Sequence, residues 1–184
     1  MSSNSTNASA MRTGALIQAR VDSSAVAGPF RRPLPLYSLR GRGHNRFMKE
    51  LTVPTHRRTE LLAITGQVEQ AVRALGVTDG MALVFVPHTT AGVTINENAD
   101  PDVASDLEGI LDRLVPWTGN YAHGEGNTAA HMKASLMGSS VSVPISGGRL
   151  RLGTWQGVFL CEFDGPRQRK VWVAVTPASG GAAG

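Results

Sequence analysis

The stretch SVSVPISGGRLRLGTWQGVFLCEFDGPRQRKVWVAVT, Ser140 to Thr176, decides the fold class. Apolar residues alternate with polar ones in Ser140 to Ile145, recur in Leu150 to Leu152, run on through Trp155 to Phe163, and resume in Val171 to Thr176. Such β-branched and aromatic segments read as strands, with Gly147-Gly148 as a hairpin turn and Asp164-Gly165-Pro166 as a second turn. Connections of hairpin length require antiparallel pairing.

Upstream, Lys49 to Val53 and Thr59 to Ile64 read as short strands around Pro54 and an Arg57-Arg58 turn. Thr65 is placed to cap a helix whose apolar face is Val68, Ala71, Val72 and Leu75, and Gly76 is placed to stop it. Met81 to Val86 and Gly92 to Asn96 read as adjoining strands with His88-Thr89-Thr90 at their junction. Asp100-Pro101 opens a second helix, since Asp supplies a capping oxygen and Pro tolerates the first helical position. Its stripe is Val103, Leu107, Ile110, Leu111 and Leu114, and Asp102, Asp106, Glu108 and Asp112 read as a solvated outer face. Thr128 to Met137 is a third short helix, ended by Gly138 in the left-handed conformation. The class is therefore α+β: a single compact domain of largely antiparallel β-sheets with about three helices.

The chain has 184 residues, 41% hydrophobic and 17% charged, which fits one folded domain rather than a disordered protein. Residues 1–47 read as a disordered basic leader or upstream extension, 48–177 as the domain and 178–184 as a flexible tail. Charge divides along the same line. Met1 to Lys49 carry eight Lys or Arg against Asp22, whereas ten basic and thirteen acidic residues follow, so the folded part has a net charge of −3. A nucleic-acid reader aims its positive charge from folded elements, which argues against that class. No apolar run approaches the length of a membrane span, and no secretory apolar segment is present. The expected location is the cytoplasm, while the Arg- and Ser-rich, acid-poor leader leaves organelle targeting open. The one cysteine, Cys161, lies in an apolar run and reads as a buried structural thiol.

Of five histidines, His44 falls in the leader and His56 in an Arg-rich turn, which leaves His88, His123 and His131 in polar contexts. Three neutral imidazoles with an open fourth position suit zinc or another divalent metal; the alternative is three separately hydrogen-bonded rings. Thr94 to Asp100 crowds Asn96, Glu97, Asn98 and Asp100 into the passage from strand to helix. Caps and turns account for Asp100, and Glu97 stands as an acid–base candidate. In Gly147 to Gly157, glycine N–H groups with Arg149 or Arg151 suit an anion, against a plain hairpin.

Taken together, His88 to Asp102, Asn127 to Ser135, Gly153 to Gly157 and Cys161 to Arg167 resemble, in order and spacing, the YjbQ family. That resemblance implies a compact α+β fold assembling as a homotrimer. It also implies a weak, secondary thiamine-phosphate synthase activity, joining a pyrimidine diphosphate to a thiazole phosphate. It groups His88, His123 and His131 as metal ligands, Glu97 and Asp100 as catalytic carboxylates, and Thr89, Asn96, Asn98, Asn127, Ser135 and Gln156 as substrate neighbours. The expected function is a metal-assisted enzyme acting on a small phosphorylated or polar metabolite. The alternative is a non-catalytic trimer that binds a metal or metabolite.

Overall fold

Strand patterning settles where each segment goes. The structure is a computed structural model describing residues 47–178; the expectations for the leader, for His44 and for the end of the tail lie outside them. Eight strands and three helices follow in the order β1 (Met48–Pro54), β2 (Glu60–Ala63), α1 (Thr65–Leu75), β3 (Gly80–Phe85), β4 (Ala91–Glu97), α2 (Pro101–Leu114), α3 (Thr128–Met137), β5 (Ser140–Ser146), β6 (Arg149–Leu150), β7 (Gln156–Glu162) and β8 (Gln168–Pro177). They build a five-stranded sheet, β1-β8-β3-β5-β6, and a three-stranded sheet, β2-β7-β4. Every pairing is antiparallel.

Only the Gly147-Gly148 connection is a strand-to-strand hairpin of the expected kind: both residues have positive φ, 60° and 72°, and Ile145 pairs with Leu150 across it. The other four short strand-to-strand connections do not return to a neighbour. Residues 55–59, 86–90, 151–155 and 163–167 each carry the chain from one sheet to the other. The physical reason lies in burial. β7 is buried at every position after Gln156, so it needs cover on both faces, whereas β8 alternates and needs cover on one. The continuous run Val158 to Cys161 against the alternation Val171 to Val175 already carries that difference.

Two cores result. Between the sheets, Val84, Val143, Val171 and Val173 face Val93, Val158 and Leu160, with Val68, Ala71 and Val72 of α1 in the same cluster. On the far side of the small sheet, Phe159, Cys161 and Phe163 pack against Leu111 of α2 and Ala130 and Ala134 of α3. Leu111 is the buried member of the α2 stripe; Ile110 and Leu114 are 49% and 66% exposed. Glu108 and Asp112 also depart from a solvated face. Glu108 takes Arg57 in a two-pronged pair and accepts the Leu61 N–H, while Asp112 accepts the Thr59 hydroxyl and the buried Lys133 ammonium.

Helix ends follow the sequence in part. Asp100 caps α2 by accepting the Asp102 N–H at 2.9 Å, and Gly76 ends α1 in the left-handed region. Thr65 is not a cap: it lies inside α1, and its hydroxyl accepts the Val158 N–H at 2.9 Å, tying the helix to β7. Gly138 ends α3 at φ 85°, ψ 164°, outside the left-handed helical well and in a region essentially restricted to glycine.

Candidate functional site

Three of the four crossovers, those after β1, β3 and β7, meet around one buried ion pair that the sequence reading missed. Arg169 and Glu162 are 5% and 0% exposed. The guanidinium meets both carboxylate oxygens, Nε reaching Oε2 at 2.6 Å, and Nη2 also donates to Thr90 Oγ1 at 2.9 Å. Glu162 further accepts the Thr55 hydroxyl at 2.9 Å and the Phe163 and Asp164 N–H groups at 3.0 and 2.9 Å. Thr55, Thr90 and Asp164 come from these three crossovers, so one charge pair holds the seam where they change sheets. Burial pushes the Glu162 carboxyl up, but Arg169, the Asp164 N–H and the Thr55 hydroxyl together outweigh it and hold it below the usual carboxylate range. Position alternation on β8 places Arg169 inward with Val171 and Val173, a charge on an apolar face, which was the available signal.

His88 sits in the second crossover. The flanks are pinned: Val86 N donates to Ser139 O at 2.8 Å, and Phe163 N to Thr90 O at 3.2 Å. The imidazole Nε2 accepts the Lys170 N–H at 2.8 Å. Burial, then the neighbouring Arg169, lowers its pKa below the ordinary histidine value, with Glu162 opposing.

The end of α3 is pressed against this junction. A Cβ on Gly92 would stand 2.7 Å from Gly138 O and 2.9 Å from Met137 Cβ, and Val93 N donates to Gly138 O at 3.0 Å. This close approach brings His131 to His88, and the two line a cleft of about 510 Å³ with Thr89, Ser135 and Ser139. His123 meets His131 edge to face, ring centroids 5.4 Å apart, and the two share a smaller concavity with Thr128. At the start of α3, Asn127 Oδ1 and Thr128 Oγ1 are sealed from solvent without a protein partner. Asn127 Nδ2 donates to Asp164 at 3.1 Å, and Ser135 donates to His131 O at 2.9 Å.

The other candidates lie elsewhere in the chain. Glu97 ends β4, six residues beyond Ala91, which is roughly 20 Å at the strand rise. Asn96 accepts the Glu97 N–H, Asn98 lines a separate groove with Pro101 and Glu108, Asp100 is committed to its cap, and Gln156 accepts the Gly153 N–H. Within one chain, then, His88, Thr89, His131 and Ser135 converge, His123 and Asn127 adjoin them, and Asn96, Glu97, Asn98, Asp100 and Gln156 do not reach them. Among the described residues, no group of three or more His, Cys, Asp or Glu side chains is arranged to hold a metal ion. The anion reading of the glycine turn also gives way: Gly147 N–H faces Asp79 and Gly148 N–H donates to Thr78 O, which leaves neither for a ligand. Cys161 is fully buried, and burial pushes its thiol up to about 12, so no thiolate is available.

These features define a two-sheet α+β domain with a histidine-lined cleft where α3 meets the β3–β4 crossover. Residues 49–178 match the family described as UPF0047 protein YjbQ-like. UPF0047 protein YugU of Bacillus subtilis is 51% identical over 127 residues, covering 68% of this chain and 96% of its own. UPF0047 protein MJ1081 of Methanocaldococcus jannaschii is 49% identical, covering 67% and 89%. A crystal structure of an uncharacterized YjbQ/UPF0047 protein from Clostridium acetobutylicum has a TM-score of 0.68 at 55% identity, over 70% of this chain and 99% of that one. A YbjQ-like protein of unknown function from Sulfolobus solfataricus gives 0.69 at 33%, over 72% and 97%. The chain belongs to the YjbQ/UPF0047 family. No helix among the described residues is long and apolar enough to cross a membrane.

Proposed function

We propose that the protein binds a small phosphorylated or otherwise polar metabolite in the His88–His131 cleft and acts on it as an enzyme. The observation that carries this reading is convergence: two imidazoles 43 residues apart, with Thr89 and Ser135, line one concavity that an apolar core does not need. Convergent polar groups in a preformed cleft are what a small ligand requires. The transfer to assay first is a secondary thiamine-phosphate synthase activity, in which a thiazole phosphate nitrogen displaces diphosphate from a pyrimidine diphosphate. Turnover lost in both His88→Ala and His131→Ala, with folding intact, is the expected result; full turnover in either removes the cleft from the reaction.

The competing reading, a trimer that binds without turnover, is favoured by one observation. Among the described residues no carboxylate lines the cleft to move a proton: Glu97 is a strand length away and Asp100 caps α2. Catalysis by Glu97 therefore requires a second copy to bring it to the cleft. The exposed Met81 and Leu83 on the outer face of the large sheet, and Ile110 and Leu114 on α2, are the apolar surface that a homotrimer would cover. Sedimentation at micromolar concentration tests it, and a monomer would leave the carboxylates outside the site. A divalent metal such as zinc would likewise draw ligands from more than one copy, with His123 and His131 as this chain's share. Nucleic acid is not a proposed partner.

A further inference from the structure

We propose that His88 is held as the neutral imidazole with its proton on Nδ1, and that this N–H is the cleft's hydrogen-bond donor to an acceptor oxygen of the ligand. The geometry leaves little choice. A backbone N–H donates at 2.8 Å to Nε2, and a backbone amide has no second role, so Nε2 must present its lone pair. A ring turned over would set a C–H against the Lys170 N–H. With Nε2 bare, the neutral ring carries its proton on Nδ1. Nδ1 has no hydrogen-bond partner among the described residues, yet it is not one of the sealed unpaired atoms, so it is open to solvent on a ring that lines the cleft.

This tautomer does not fit the three-histidine metal set. A metal on Nδ1 requires that nitrogen to be deprotonated while Nε2 is already bare, which is an imidazolate. Little beside His88 stabilises one: the Lys170 N–H is a single neutral donor, and the nearby Arg169 guanidinium is already paired with the Glu162 carboxylate. A neutral donor, by contrast, suits the site. The Arg169 guanidinium disfavours a second positive charge on the ring, and the crossover is fixed on both sides of it, by Val86 N on Ser139 O and by Thr90 Oγ1 under Arg169. A donor held rigid before the ligand arrives stabilises developing negative charge on oxygen without reorganisation. This inference rests on the reading of the cleft as the binding site, and it names the chemistry the cleft recognises: an oxygen acceptor of phosphate, carboxylate or carbonyl type.

The test uses the full-length protein labelled with 15N and inorganic phosphate as the probe. Long-range 1H–15N correlations of His88 at neutral pH should show one protonated nitrogen, Nδ1, and one lone-pair nitrogen, Nε2. A proton on Nε2, or on both, overturns the proposal and leaves the cleft reading untouched. Adding phosphate should then move the His88 Nδ1 resonance together with those of His131 and Ser135. Movement at His131 and Ser135 without His88 overturns the donor role alone; no movement at any of the three overturns the donor role and the cleft reading together. Side-chain length provides an independent arm. His88→Asn places an amide nitrogen near the Nδ1 position and should keep phosphate affinity within about threefold, whereas His88→Gln reaches the Nε2 position and should lose on the order of tenfold, the worth of one hydrogen bond to a charged group. Equal losses in two variants that melt like the parent would overturn the proposal.

Discussion

Replacing Arg169 with Met removes the guanidinium from the seam and leaves the Glu162 carboxylate, fully buried, with only the Thr55 hydroxyl and the Phe163 and Asp164 N–H groups. Breaking a buried pair from one side costs about 3–5 kcal/mol, against a total stability of roughly 5–15 kcal/mol for a domain. For a domain of this size, that corresponds to a fall in Tm of roughly 10–20 °C. Urea and thermal unfolding at one fixed protein concentration would read it, since assembly would otherwise shift the apparent stability. The double variant Arg169→Met/Glu162→Gln separates the buried charge from simple loss of packing. Gln keeps an oxygen for the Phe163 and Asp164 N–H groups and removes the charge, so the double variant should be more stable than Arg169→Met by at least about 1 kcal/mol. The pH dependence should invert as well. In the parent, Glu162 is held low, so its contribution is present above the unfolded carboxyl pKa and is lost as pH falls through the folded value. With Arg169 gone, burial raises that pKa above the unfolded one, and the variant gains relative stability as pH falls. A single variant within about 1 kcal/mol of the parent, or a double variant no better than the single, would refute the view of this pair as the seam's fastening.

Three further outcomes follow from other parts of the molecule. Gly165→Ala would set a Cβ 2.2 Å from Arg57 O and 2.8 Å from Glu162 Cγ, forcing the crossover after β7 off the one after β1; a loss of about 1–3 kcal/mol is expected in urea unfolding, and a neutral effect would show that the two crossovers are not in close contact. Asp100→Ala removes the cap on Asp102 N–H and should cost about 1 kcal/mol, whereas Asp100→Ser, which keeps a capping oxygen, should recover most of it. His88, whose pKa is lowered by burial and Arg169, binds its proton more weakly folded than unfolded, so its contribution to stability is complete above the unfolded histidine value of about 6.5 and falls away as pH drops toward the folded value. Comparing parent and His88→Asn between pH 5 and 7.5 should show that slope only in the parent, and parallel curves would contradict it.

Much of this was legible in the chain. Local chemistry fixed the elements: the period of two in Val171 to Val175, the helical spacing of Val68, Ala71 and Val72, the Asp100-Pro101 start, and the paired glycines at 147 and 148 all act within a few residues of themselves. The grouping of His88 with His131 was legible only through the family's motif order. What the sequence did not determine was which strands share a sheet. Five residues suffice either to turn back beside a strand or to cross to a facing sheet; the run Val158 to Cys161 marks a strand buried on both faces, but which elements cover those faces is set only once both cores are assembled. The same holds for Arg169, Glu162 and Lys133. Each carries a charge whose partner lies on another element, so their burial is tolerable only in the completed tertiary structure, where Glu162 meets Arg169 across the seam and Lys133 meets Asp112 across two helices. Local signals place residues on elements; the long-range balance of desolvation against pairing decides where the elements meet.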